Sequence, residues 1–227
     1  MNPSHSYREM NGITNLLKIL LAVFFAAAVI GFISSWLQFQ LLTRESFSHA
    51  EAQANDIRQH FVALFTVLVY LVTAVVFGRW IYRANRNVRA LGAQGLRFTP
   101  GWAVGYFFVP IFNWWRPYQA MKDLWRASQN PAAWQGIKPG SILGIWWGLW
   151  LASNLIGYAA MQDGLKAHDL ATLKMATFSL LVEEVVRFPL CVCAFLIVTQ
   201  IDDFLNAAKM NIAVTEPLPA AATLSTG

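Results

Sequence analysis

Charge is what this sequence has least of. Asp, Glu, Lys and Arg make up 13% of its 227 residues, about half the roughly 25% of an ordinary globular domain. Apolar residues make up 56%, and a soluble chain of this length has no core large enough to hide them. Cysteine is equally scarce. Cys191 and Cys193 are the only two, both inside an apolar run, which argues against a disulfide or zinc framework and for small buried hydrophobes. There is no Gly-rich phosphate loop, no His-Glu-x-x-His, no nucleophile elbow and no internal repeat. His49, Glu51, Asp56 and His60 fall on a predicted external loop at spacings that fit no ligand motif. No metal site and no cofactor is expected.

What the chain does have is aromatic and apolar length. Ten Trp and sixteen Phe are the excess expected where a chain meets lipid headgroups. Four stretches are long enough to cross a bilayer, which takes about 20 helical residues. They run over about 19–42, 61–82, 142–161 and 177–201, and only the last carries charge in its interior. The first continues well past Ala26-Ala27-Ala28, so it reads as an uncleaved helix rather than a secretory signal.

Basic residues then set the direction. Arg79, Arg83, Arg86, Arg89, Arg97, Arg116, Lys122, Arg126 and Lys138 crowd the segment between the second and third spans, against one acid, Asp123. The loops over 43–60 and 162–176 hold two basic residues each. The central segment, residues 1–18 and the tail are therefore expected in the cytoplasm. Residues 203–227, with Pro217 and Pro219, read as a disordered tail.

Inside the central segment, Phe98 to Trp115 is apolar and uncharged, long enough to compete as a fifth span. Pro100, Gly101, Gly105 and Pro110 interrupt it, and its basic flanks would fall on opposite sides if it crossed. The expected class is an all-α integral membrane protein: four transmembrane helices plus an interfacial or re-entrant aromatic segment over 98–128 at the cytoplasmic face. A fifth crossing is the alternative. Arg83 to Arg89 reads as a helical extension of the second span that stops at Gly92. Pro117 starts a helix whose Tyr118, Met121, Leu124 and Trp125 share one side.

These same residues carry a resemblance. Arg83-Ala-Asn-Arg-Asn-Val-Arg-Ala-Leu-Gly-Ala, Arg97-Phe-Thr-Pro-Gly-Trp-Ala-Val-Gly, Phe108-Val-Pro-Ile-Phe-Asn-Trp-Trp-Arg-Pro-Tyr-Gln-Ala-Met and Leu124-Trp-Arg-Ala-Ser resemble the bacterial membrane family known as domain of unknown function 4328. The motif-bearing part covers Arg83 to about Pro131. The resemblance implies a bacterial multi-pass membrane protein, placed in the inner membrane, and implies no activity.

Two sets of residues stand out. Arg83, Arg86, Arg89, Asn113, Trp114 and Arg116 place guanidinium groups beside indoles at headgroup depth, which suits an anionic lipid or another anionic ligand. The competing reading is topogenic charge with an aromatic anchor. Glu183, Glu184 and Arg187 lie inside the fourth span, where insertion scales charge about 2.5–3.5 kcal/mol per charged residue. Glu183 and Arg187 can pair at i and i+4, with Ser153 and Asn154 of the third span at similar depth and Glu184 left unmatched. Pro189 is expected to bend this helix. A membrane binding or scaffold module contacting anionic headgroups, a protein partner or a second copy is the leading reading. A small transporter or channel using Glu183, Glu184 and Arg187 is the alternative. An enzyme ranks last, because the central segment offers no obvious nucleophile or general base, only Asp123 as an acid and no His. Nucleic acid is not an expected partner.

Overall fold

The structure, a computed structural model, describes residues 6–215, and side chains as far as Ile212. Six α-helices follow one another: α1 (Asn11–Thr43), α2 (His49–Ala90), α3 (Pro100–Gly105), α4 (Arg116–Gln129), α5 (Ser141–Leu165) and α6 (Leu170–Thr215). Single 3₁₀ turns at Phe112–Trp114 and Trp134–Gly136 flank α4. Among the described residues there is no strand.

The helices overrun the apolar runs that nucleate them. The expected loop over 43–60 shrinks to 44–48, because Ser48 and Glu51 form a capping box that starts α2 twelve residues early. The Ser48 hydroxyl accepts from the Glu51 amide at 3.2 Å, and Glu51 Oε2 accepts from the Ser48 amide at 2.7 Å. These bonds occupy the orphan donors of a helix start. Asp169 does the same for α6, accepting from the Thr172 amide at 2.8 Å, so the loop expected over 162–176 shrinks to 166–169. At the other end of α2 the chain stops where the sequence says. Gly92 adopts φ +100, a left-handed conformation that glycine enters without strain.

The expectation of a disordered tail from residue 203 is corrected as far as Thr215, where α6 ends. Its apolar spacing continues through Ile197, Ile201, Leu205 and Ala208, all buried. Phe204 meets Trp125 of α4 edge-on at 5.5 Å between ring centroids, and Lys209 pairs with Glu9. Residues 216–227 lie outside the described part. Pro189 sits within α6, which remains one helix across it.

α1 lies between α2 and α6, and α6 also packs on α5. The contacts fix antiparallel registers. Along α1 and α6, Thr14 bonds Asp202, Gly31 abuts Glu184, and Gln38 bonds Thr177. Along α1 and α2, Thr14 meets Trp80, Phe24 meets Tyr70, and Ser34 accepts from Arg58. Numbers rise on one helix as they fall on the other. Polar side chains thus mark both ends of a mostly apolar contact. At one end they form a buried chain in which the Trp80 indole donates to Thr14 (3.1 Å) and Thr14 donates to Asp202 (2.8 Å).

α3, α4 and the turns between them close that end of the bundle. α3 packs on α2, and α4 lies across α6, touching α2 and α5. The amphipathic reading of α4 holds, with Met121, Leu124 and Trp125 buried and Tyr118 half-buried.

Candidate functional site

The aromatic segment is a folded loop rather than a long helix. Thr99 caps α3 by accepting from the Trp102 amide at 3.3 Å, with Pro100 in the first turn. α3 runs for six residues, and turns carry the chain to α4. The two ends of the segment then meet. The Arg116 guanidinium lies 5.5 Å from the Phe98 ring centroid, 5.8 Å from Tyr106 and 5.7 Å from Phe112. Three ring faces around one cation are an aromatic cage. The rings that hold Arg116 are therefore not the indoles of Trp114 and Trp115 beside it in sequence. Trp114 contributes its backbone, accepting from the Trp147 indole at 3.1 Å, while its side chain is half exposed.

From the loop, Phe107 reaches into the bundle. It meets Phe77 of α2 and Trp147 and Trp150 of α5 edge-on at about 6.4 to 6.5 Å. Trp150 lies nine residues into α5, about 13 Å from its start.

Of the expected basic residues, Arg89 and Arg116 both meet Phe98, while Arg83 turns to Glu9. Arg83 donates to the Glu9 carbonyl at 3.2 Å, and Arg89 to the Phe98 carbonyl at 2.6 Å. Burial pushes the Arg89 pKa down, though an arginine stays charged. Nε of Arg86, Arg89 and Arg116 and Oδ1 of Asn113 are enclosed without a hydrogen-bond partner. Arg97, which is not among the expected site residues, makes the one carboxylate contact of the segment among the described residues. It grips Asp123 with two bonds of 2.7 and 2.8 Å, and those bonds raise the Arg97 pKa. None of the other eight basic residues of the central segment has a carboxylate partner among the described residues.

In α6 the charges gather more tightly than expected. Arg187 pairs with Glu183 and also takes both oxygens of Glu184, at 2.8 and 2.7 Å. The reading of Glu184 as unmatched is thus corrected. The i,i+3 spacing is as reachable as i,i+4, and one guanidinium has donors enough for two carboxylates. Ser153 donates to Glu183 at 2.8 Å. Asn154 does not join, because it donates to the Trp150 carbonyl of its own helix. Phe24 of α1 lies under Arg187 at 5.5 Å, and both carboxylates are buried.

The residue that sequence reasoning missed here is Gly31. A Cβ at that position would fall 2.4 Å from Glu184 Oε1, so a side chain there would have to push the carboxylate out of its present place. Gly31 is also near the middle of the apolar run 19–42, roughly 18 Å from its start at 1.5 Å per residue. Nothing in one sequence pairs a glycine of the first helix with a glutamate of the last.

Near the start of α2, His60 Nδ1 lies 2.7 Å from the Asp56 carbonyl. Among the described residues no three His, Cys, Asp or Glu gather as a metal site. Both cysteines are free, Cys191 buried and Cys193 partly so.

The fold defines a helical membrane protein, since α1, α2 and α5 are each long and apolar enough to cross a bilayer. The chain belongs to the family described as Domain of unknown function (DUF4328), whose profile matches residues 44–203. No curated protein and no solved structure matches.

Proposed function

We propose that this is a four-span module of the bacterial inner membrane with both ends cytoplasmic, in which residues 98–128 form a re-entrant platform. The platform contacts anionic lipid headgroups or a protein partner. α6 supplies the fourth span. The observation that carries the reading is the contact between Phe98 and Arg116. A segment whose ends touch returns to the face it left. The longest helix between Phe98 and Arg116, six residues, covers about 9 Å of a hydrocarbon core of about 30 Å. Phe107 then packs the loop against α2 and α5 at limited depth.

With the platform on one face, the basic residues of the central segment are there too, and eight of them lack a carboxylate partner among the described residues. Such residues attract an anionic leaflet at about 1 kcal/mol each. The test is the lipid that accompanies the purified protein, compared with the host membrane. Enrichment of anionic over zwitterionic phospholipid is expected. A ratio equal to that of the bulk membrane would sink the reading.

The intramembrane cluster is better read as a register lock than as a flux site. Arg187 engages both carboxylates, and Gly31 and Ser153 enclose them, so neither is held open to water. In proteoliposomes, Glu184→Gln is expected to leave ion and proton leak unchanged.

A further inference from the structure

The region between α2 and the aromatic loop holds two adjoining cavities of different character. The first, of about 180 Å³, is apolar and lies between α2 and α5, with Tyr70, Phe77, Phe107 and Trp150 on its walls. The second, of about 590 Å³, lies at the charged end of α2 and is lined by Arg8, Arg79, Tyr82 and Arg83. Ala74, Gly78, Val104 and Phe108 line both. They adjoin where α2 and α3 come closest, sharing those four residues as a common wall. Gly78 eases the approach: a Cβ there would lie 3.1 Å from the Val104 methyl.

We propose that this groove binds one anionic phospholipid of the cytoplasmic leaflet, its phosphate among Arg8, Arg79 and Arg83 and one acyl chain in the apolar cavity. The proposal rests on the reading above and names the site and the ligand. Charge complementarity commits the occupant. None of the three arginines has a carboxylate partner among the described residues, and Arg8 and Arg79 are exposed. Guanidinium forks match phosphate oxygens bidentately. The length fits as well. Arg79 and Tyr70 are about 13 Å apart along α2, close to the roughly 15 Å of one leaflet's hydrocarbon. A soluble anion would use the basic mouth and leave the apolar cavity unexplained. Arg8 lies in the segment before α1, outside the family match, so the headgroup would also tie that segment to α2.

The experiment uses the full chain in phosphatidylcholine vesicles containing a tenth of phosphatidylglycerol. Either lipid carries a photoactivatable diazirine on an acyl chain, and cross-linked peptides are read by mass spectrometry. The phosphatidylglycerol probe is expected to label residues 70–78 and 104–108 several-fold more than the phosphatidylcholine probe. Arg79→Ala with Arg83→Ala should bring the labelling by the two probes close to equal. Ala74→Phe keeps every charge and should remove the cross-link itself, and Ala74→Leu serves if the larger side chain prevents folding. Each variant is checked by its unfolding temperature and its elution as a single species. Equal labelling by both probes in the wild type overturns this proposal together with the headgroup reading. A phosphatidylglycerol preference that survives both the double arginine and the Ala74 variants overturns the groove alone.

Discussion

Arg187 is held by two carboxylates of its own helix and by the face of Phe24 from α1. The two sides of this cluster are not equivalent. Removing Arg187 leaves two adjacent carboxylates facing each other in an apolar surrounding, and breaking a buried pair in this way costs about 3–5 kcal/mol. Removing one carboxylate leaves a neutral pair. Arg187→Met should therefore lower the unfolding temperature in detergent far more than Glu184→Gln does, and equal losses would show that the cluster is wet. A second asymmetric pair sits outside the spans. The Asp123 side chain is 4% exposed and that of Arg97 is 43% exposed. Arg97→Ala strands a buried acceptor, which costs about 1–3 kcal/mol, whereas Asp123→Ala returns a half-exposed guanidinium to water. Thermal unfolding should rank Arg97→Ala as the more damaging variant.

At the scale of elements, the two connectors opposite the platform depend on carboxylates at helix starts. Glu51 has a lowered pKa because its charged form accepts the Ser48 backbone and side-chain bonds, and Asp169 is lowered by the Thr172 backbone and side chain. A carboxylate whose pKa is depressed by folding stabilises the fold above its ordinary value, and loses that contribution as pH falls through the lowered one. Amide exchange at residues 49–53 and 170–174, corrected for its intrinsic pH dependence, should therefore rise on acidification. Glu51→Gln should raise it at neutral pH at the first site alone. Ser48-x-x-Glu51 was legible as a sequence pattern, but it lay in a stretch read as loop because apolar periodicity ends at residue 61. Periodicity reports burial, and the first turns of α2 are exposed on most sides. The 203–215 stretch was misjudged for the opposite reason. Its apolar residues are spaced for a helix, and the prolines that suggested disorder come only after it.

For the molecule as a whole, the apolar runs and Gly92 located the helices, and the Pro and Gly residues of 98–115 marked the segment that folds back. Residues that touch across the bundle were not legible. Gly31 against Glu184, Thr14 against Asp202 and Arg8 against Asn87 each join elements whose pairing only packing decides. The cage around Arg116 is of the same kind. Its rings come from 98, 106 and 112, spread over a loop whose path no local pattern encodes, so the indoles adjacent in sequence were the natural but mistaken choice. The basic residues were counted correctly as a group, while their division into caged, paired and free ones needed the fold.

The claim on which the rest depends is that the aromatic segment leaves and re-enters one face of the membrane. Single cysteines at exposed positions on its two flanks, Gln94→Cys and Ala132→Cys, test it in a chain with Cys191 and Cys193 replaced by Ala. Lys166→Cys marks the opposite side. A membrane-impermeant maleimide is applied to intact cells of the expression host and to inverted vesicles. Both flanks should react in inverted vesicles and stay protected in intact cells, with Lys166→Cys reversed. Reaction of Gln94→Cys and Ala132→Cys from opposite sides would make the segment a fifth span and contradict the account.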